Sequence, residues 1–374
     1  IVKNYIYNTS YQILAIILPI ITTPYISRVL GAERIGAYSY SYSIAYYFVM
    51  FIMLGLNNYG NRTIASVRED KGKLSKTFWE IYSVQIINGI VVTIIYILFA
   101  CLFFNNLMTW ILLIYIISAI IDINWFFFGL EEFKLTVIRN SIFKIFGIIL
   151  MFLYIKTRED LLLYVFITAA TSFLSNLSLW PYMRRYLVKV NIRELKFKKH
   201  FSETLVYFIP TIATSVYTVL DKTLLGLITN DAVQNGYYQQ AEKIINLAKS
   251  VVFTAINSVV GVRNSYLFSE KKFAEIHEKI EASFNFIFFM GFACCFGIMG
   301  IAKTFVPLFF GAGYDQVVGL LYTFSSIIVI IGVSNCLGSQ YYTPCGKRRE
   351  STNYLIFGSV VNLILNLLLI PNFG

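Results

Sequence analysis

Six ionisable residues stand where apolar surroundings make a charge expensive. Asp221 and Lys222 lie within Leu205–Thr229, and Glu242, Lys243 and Lys249 within Gly236–Gly261. Asp122 lies near the end of Met108–Gly129. An ion in such a stretch is normally kept because it pairs, binds a ligand or carries a proton. From Gly236 onward, Gln239, Glu242 with Lys243, Asn246, Lys249 with Ser250, and Asn257 recur every three or four residues. That spacing places them on one face of a helix. Two lysines on a stripe of amides make a face for water and for an anion, and lysine is a point-charge binder of phosphate. The competing reading is that Asp221, Lys222, Glu242 and Lys243 neutralise one another between helices. Asp122, beside Trp125, is a proton or cation site or else a structural hydrogen-bond acceptor.

The elements that must hold these residues are long and apolar. Of 374 residues, 57% are hydrophobic, 17% aromatic and only 14% charged, with mean hydropathy +0.66. A soluble domain carries about 25% charged residues. Tyr5–Ser27, Ile35–Asn61, Leu161–Met183, Ala282–Ala302 and Gln316–Gly346 hold no charge at all, and about 20 apolar residues cross the hydrocarbon core. The chain therefore reads as an all-α integral membrane protein. Its spans are Tyr5–Arg28, Tyr38–Asn58, Glu80–Phe104, Met108–Gly129, Ser141–Ile155, Leu161–Tyr182, Leu205–Thr229, Gly236–Gly261, Ala282–Val306, Val317–Tyr342 and Asn353–Ile370. Asn105-Asn106, Asn230-Asp231, Gly311-Ala312-Gly313 and Pro344-Cys345-Gly346 mark turns. The abundant aromatics are expected at the membrane interfaces and toward lipid.

Net charge +11 would point to nucleic acid in a soluble protein. Here the basic residues fall in alternate short loops: Arg62–Lys76, Lys134–Lys144, Arg184–Lys199, Arg263–Lys279 and Lys347–Arg349. The intervening loops keep Arg28, Arg34, Lys156 and Arg158. The positive-inside rule then predicts a cytoplasmic N-terminus and no nucleic-acid partner. Cys101, Cys294, Cys295, Cys336 and Cys345 fit neither a disulfide framework nor a zinc site, and His200 and His277 lie in polar loops. No metal and no cofactor is expected. The start at Ile1 and the stop at Gly374, directly after an apolar span, look like part of a longer protein.

A weak internal repeat recurs at a shift of about 200 residues. Gly36-Ala37-Tyr38-Ser39 answers Gly236-Tyr237-Tyr238-Gln239, and Leu56–Arg62 answers Ile256–Arg263 with one residue slipped. Six spans separate the copies, so the halves share one orientation, the arrangement of parallel-repeat transporters. The halves are residues 1–203, spans one to six, and residues 204–374, spans seven to eleven and an incomplete second lobe. The basic loop Arg184–Glu203 lies at their boundary. In the second span the matching face carries Tyr38, Tyr42 and Tyr46 and no charge. The cations therefore gather in the second half, and an interior lined by lysine, amide and tyrosine suits an amphipathic anion such as a lipid-linked phosphate.

Order and spacing of several motifs extend this reading. They include Pro24-Tyr25-Ile26-Ser27-Arg28-Val29-Leu30-Gly31-Ala32-Glu33, Asp122-Ile123-Asn124-Trp125-Phe126-Phe127-Phe128-Gly129, Leu220-Asp221-Lys222-Thr223, Gly236-Tyr237-Tyr238-Gln239-Gln240-Ala241-Glu242-Lys243, and Phe310-Gly311-Ala312-Gly313-Tyr314. With these the chain resembles the polysaccharide flippases, the Wzx-like O-antigen and teichoic acid translocases of the MOP flippase superfamily. The resemblance implies a MATE-like two-lobed bundle in the bacterial cytoplasmic membrane. It also implies alternating-access translocation of an undecaprenyl-diphosphate-linked oligosaccharide, coupled to a proton or sodium ion, and not an enzyme. The diphosphate would pair with Lys222, Lys243 or Lys249. Gln239, Asn246, Asn257, Tyr42 and Tyr46 would meet the sugars, and Asp221, Glu242 or Asp122 would take the coupling ion. Polysaccharide polymerase or glycosyltransferase machinery would be a partner. One departure is Gly261-Val262-Arg263, where Leu-Pro-Arg is common in the family. The alternatives are a MATE-type exporter of small molecules or drugs, and a membrane polysaccharide polymerase or ligase.

Overall fold

Lipid offers backbone groups no partner, so a chain this apolar closes its hydrogen bonds within helices. The computed structural model describes the backbone of residues 2–191 and 195–373. Within these it describes all side chains except those of residues 2–12, 251, 252, 254–259, 261, 262, 265, 348 and 373. The order is α1 (Val2–Met53), α2 (Leu56–Val67), α3 (Lys71–Phe103), α4 (Leu107–Ile120), α5 (Asn124–Gly129), α6 (Phe133–Tyr154) and α7 (Leu161–Leu177). It continues with α8 (Phe197–Ser215), α9 (Asp221–Thr229), α10 (Ala232–Ser269), α11 (Phe273–Phe310), α12 (Asp315–Phe324), α13 (Ser326–Cys336) and α14 (Arg348–Phe373). A widened turn at Val216–Leu220 joins α8 to α9, and another follows α13 at Leu337–Tyr342.

Among the described residues, nine helical stretches are long and apolar enough to cross a membrane. The first, Ile13–Val67, has 55 residues, far more than one crossing needs. It breaks at Leu54-Gly55, between α1 and α2, and at Gly31, where φ is 76° and ψ 168°. Only glycine adopts that conformation without strain, so the expected boundary between the first two spans rests on one residue. The other expected turns also fall between helices. Asn106 accepts from the Thr109 amide at 2.9 Å to start α4, and Asp231 accepts from the Val233 amide at 2.8 Å to start α10. Asp70 accepts from the amides of Gly72 and Lys73 and so starts α3; those donors hold its carboxyl below the usual carboxylate range.

The chain folds as two compact units, residues 1–22 with 38–223, and residues 23–37 with 224–374. In the first unit, the aromatics of the Asp122 motif are core rather than interfacial or lipid-facing. Trp125, Phe126 and Phe127 are fully buried, Phe78 stacks on Trp125, and the Trp125 indole donates to Gln85 Oε1 at 3.0 Å. The Gln85 amide in turn donates to the carbonyls of Ala119 and Asp122, so the break between α4 and α5 has its polar groups satisfied.

The second unit is built around α10, α11, α12 and α13, with Ile287, Val306, Phe310, Tyr314 and Ile328 at its centre. The segment 23–37 belongs to it. Ser27 receives the Gln240 amide at 2.9 Å, its carbonyl receives the Tyr314 hydroxyl at 3.0 Å, and Arg28 donates to the Leu308 carbonyl. A close backbone approach joins the two repeat copies. A Cβ on Gly36 would collide with the Ala232 carbonyl, and a Cβ on Gly236 with the Ala32 carbonyl. This reciprocity marks a local twofold between the segments, and the small-xxx-small spacing lets the backbones touch. Gly36→Ala and Gly236→Ala are each expected to destabilise the protein by about 2 kcal/mol or more, read as a lower melting temperature in detergent. Gly319→Ala, with open space around it, is the control.

Candidate functional site

The polar interior of the first unit begins with a difference in where a helix starts. The fifth span was expected over Ser141–Ile155, with Arg139 and Lys144 counted among loop cations. The helix α6 instead runs from Phe133 to Tyr154 over 22 residues. At 1.5 Å per residue, Lys144 lies about 16 Å beyond Phe133, close to the middle of the span. Arg139 is about one and a half turns inside. The cations are therefore not confined to the second half of the chain.

Arg139 is only 6% exposed. Its guanidinium donates to the Ser175 carbonyl at 2.6 Å, to Asn124 Oδ1 at 2.7 Å and to Asn140 Oδ1 at 2.6 Å. Asn124 donates onward to Asp122 Oδ1 at 2.6 Å and to Asn176 Oδ1 at 3.2 Å, and Asn176 donates to the Ser118 hydroxyl. The network ties α4, α5, α6 and α7 together. Asp122 also accepts from the Asn124 backbone amide at 2.9 Å, so its carboxylate orders the start of α5.

Beside this network a cavity of about 390 Å³ opens between α1, α6 and α7. Lys144 lines it, with Thr22, Asn140, Thr168, Thr171, Ser172, Ser175 and Asn176 as polar neighbours and Leu18, Pro19, Ile148 and Met151 as apolar ones. A lysine with amides and hydroxyls in a mid-span cavity is equipped to hold an anionic, hydroxyl-rich group. Neither Arg139 nor Lys144 was singled out from sequence, because a charge count assigns a cation near a span end to the loop. The signal that finds them is the apolar run Leu135, Val137, Ile138, Ile142 around Arg139, which continues the helix toward its true start.

Tyr42 joins a tyrosine group. Its ring lies 5.6 Å from Tyr38 and 5.2 Å from Tyr115, and Tyr38 lies 5.3 Å from Tyr164. Tyr46 sits against Tyr47 at 6.4 Å. Asp221 and Lys222 open α9 at the end of the first unit, both half-buried, and the neighbouring Thr223 donates to Ser43 at 2.8 Å. In the second unit, α10 carries Gln239, Glu242, Lys243 and Lys249 half-buried and Asn246 exposed. Glu242 and Lys249 stand two turns apart on the same face of α10. The side chain of Asn257 lies outside the described residues. Among the described residues no three His, Cys, Asp or Glu side chains converge as a metal site.

One further polar cluster was not anticipated. His200, expected in a loop, lies in the first turn of α8 and is buried. Its Nε2 is 3.0 Å from Glu80 Oε2 and its Nδ1 2.6 Å from the Tyr59 hydroxyl, while Glu80 Oε1 accepts from the Lys196 amide at 2.8 Å. The cluster clasps the start of α8 to α2 and α3.

Comparison with known proteins places this architecture. Residues 1–260 match the model of the family described as polysaccharide biosynthesis protein. The chain belongs to that family. Two curated proteins named "Putative O-antigen transporter" are similar to this chain over nearly its whole length. The one from Escherichia coli (strain K12) is 23% identical over 97% of this chain and 88% of its own, and the one from Shigella dysenteriae 23% over 96% and 90%. Among solved structures, the lipid II flippase MurJ in an inward closed conformation matches with a TM-score of 0.76 at 15% identity, covering 100% of this chain and 82% of its own. An inward-facing multidrug resistance MATE transporter of the MOP superfamily matches at 0.66 and 16%, covering 96% and 84%. These bear out the family resemblance read from the motifs and the all-helical, MATE-like membrane fold.

In this family member the Arg139 network and the Lys144 cavity make different demands. Arg139→Met strands the acceptors of three part-buried hydrogen bonds and is expected to cost about 2–3 kcal/mol, read as thermal stability in detergent. Lys144→Met, at a cavity edge, is expected to change stability by no more than about 0.5 kcal/mol.

Proposed function

We propose that the protein translocates an undecaprenyl-diphosphate-linked oligosaccharide across the bacterial cytoplasmic membrane by alternating access. The observation that carries this reading is the placement of cations inside lipid-length helices beside amides and hydroxyls. Lys144 does so in the first unit, and Lys243 and Lys249 in the second. The names of its family and of its O-antigen transporter relatives, and the fold it shares with a lipid II flippase, support the same reading.

In this mechanism the diphosphate is drawn to ammonium groups, which replace the water it gives up on leaving the headgroup layer. Lys222, Lys243 and Lys249 supply them, and Lys144 offers another in the first-unit cavity. Gln239, Asn246 and Asn257 with Tyr42 and Tyr46 offer hydrogen bonds and ring faces to the sugars, while the prenyl tail stays in lipid. Two lobes, residues 1–203 and 204–374 with the N-terminus cytoplasmic, alternate in exposing the site. A proton or sodium ion on Asp221, Glu242 or Asp122 resets the cycle by cancelling a negative charge. Polymerase and glycosyltransferase machinery would supply and consume the lipid-linked chain. The net basic character of these positions favours an anionic cargo over the cationic drugs of an exporter.

The test is complementation of a strain that lacks its own polysaccharide flippase, with surface polysaccharide as the readout and membrane abundance as the control. Lys249→Ala and Lys144→Ala are each expected to reduce surface polysaccharide about tenfold or more at unchanged abundance, the effect of roughly 1.4 kcal/mol of lost charge–phosphate interaction. Full export by the double variant would remove the basis for diphosphate recognition here. In proteoliposomes, Asp221→Asn and Glu242→Gln are expected to weaken the dependence of transport on an imposed ion gradient. An unchanged dependence in both would relocate the coupling ion.

A further inference from the structure

On the outer face of the first unit, a groove of about 480 Å³ runs between α3 and the first two turns of α8. Its α3 wall is Val84, Ile87, Asn88 and Val91, at steps of three, one and three, which is one helix face. Its α8 wall is Phe197 and Phe201, one turn apart, with Lys198 between them. Ile87 and Val91 are 50% exposed, and Phe197 and Phe201 38% and 45%. The Asn88 amide donates into the bundle, to the carbonyls of Phe51 and Ile52, so the groove wall stays apolar along the helix. From Val84 to Val91 the wall extends about 10 Å, roughly two thirds of the hydrocarbon depth of one leaflet.

The groove is a built feature. On the opposite side of the α8 turn, Glu80 takes the Lys196 amide with one oxygen and the His200 imidazole with the other, and Tyr59 closes on His200. Glu80 is 8% and His200 7% exposed. This clasp fixes the turn against α3 and directs Phe197, Lys198 and Phe201 outward. The neighbouring Lys199 turns to Glu203 at 3.8 Å, which leaves Lys198 as the cation on the groove side.

We propose that this groove is a binding site for an anionic phospholipid of the surrounding bilayer. An acyl chain lies along Val84, Ile87 and Val91 between the two phenylalanines, and the phosphate meets Lys198. Charge decides the occupant. A slot walled by apolar side chains accepts any lipid tail, and one ammonium at its mouth selects a lipid with one net negative charge. The basic segment Arg184, Arg185, Lys189, Lys196 and Lys199 raises the local concentration of such lipids without contacting the slot.

The experiment is native mass spectrometry of the full-length protein, released from nanodiscs containing equal phosphatidylglycerol and phosphatidylcholine, with undecaprenyl phosphate added in a second series. The expected result is retention of phosphatidylglycerol in preference to phosphatidylcholine. Lys198→Glu should lower that retention by at least about fivefold, the effect of one basic residue near a lipid surface, whereas Arg185→Glu should leave it within twofold. Val91→Trp, which fills the slot without changing charge, should also abolish it; Ile87→Trp repeats the test if that variant is unstable. Equal retention of the two phospholipids would overturn the proposal. So would an equal loss in Lys198→Glu and Arg185→Glu, which would mean diffuse attraction. Displacement of phosphatidylglycerol by a stoichiometric amount of undecaprenyl phosphate would assign the groove to a prenyl lipid and equally overturn it.

Discussion

Hydrocarbon supplies no hydrogen-bond partner and screens no charge, and each feature of this protein answers that constraint. The backbone is helical because helices close their own hydrogen bonds. Where a helix must stop inside the bundle, a side chain takes over. Gln85 receives the Trp125 indole and donates to the Ala119 and Asp122 carbonyls at the gap between α4 and α5. Where a charge is kept, it is held by several partners at once, as Arg139 is by Ser175, Asn124 and Asn140, and Glu80 by His200 and the Lys196 amide.

This separates two uses of a costly group. Arg139, Glu80 and His200 serve the fold, since their hydrogen bonds go to named protein atoms. Lys144 lines a cavity of about 390 Å³ among amides and hydroxyls, and Lys249 lies half-buried on α10, two turns beyond Glu242. The clasp at Glu80 also orients the outer face of α8, so one buried network shapes both the interior and the lipid-facing surface.

The repeat has a physical consequence of its own. Residues 32 and 36 meet residues 232 and 236 reciprocally, with no side chain between the backbones at the glycines. Two segments about 200 residues apart are thereby packed backbone against backbone. Neighbouring polar contacts, Gln240 to Ser27 and Tyr314 to the Ser27 carbonyl, fix the register of that contact.

Much of this was legible in the residue order. Uncharged runs, Asn and Asp caps and basic loops gave the membrane-spanning architecture, because length and hydropathy alone decide whether a segment prefers lipid. The glycine repeat was legible as well, since no larger residue serves at a backbone contact. Three things were not. The start of α6, and with it the depth of Arg139 and Lys144, depends on partners contributed by α4, α5 and α7. The burial of Trp125, Phe126 and Phe127 depends on Phe78 and Gln85 across the bundle. His200 became a buried group only because Glu80, 120 residues earlier in the chain, and Tyr59 came to meet it. Sequence determines which segments leave water. Which polar groups find one another once water is gone is a matter of distance between helices, and only the folded chain sets that distance.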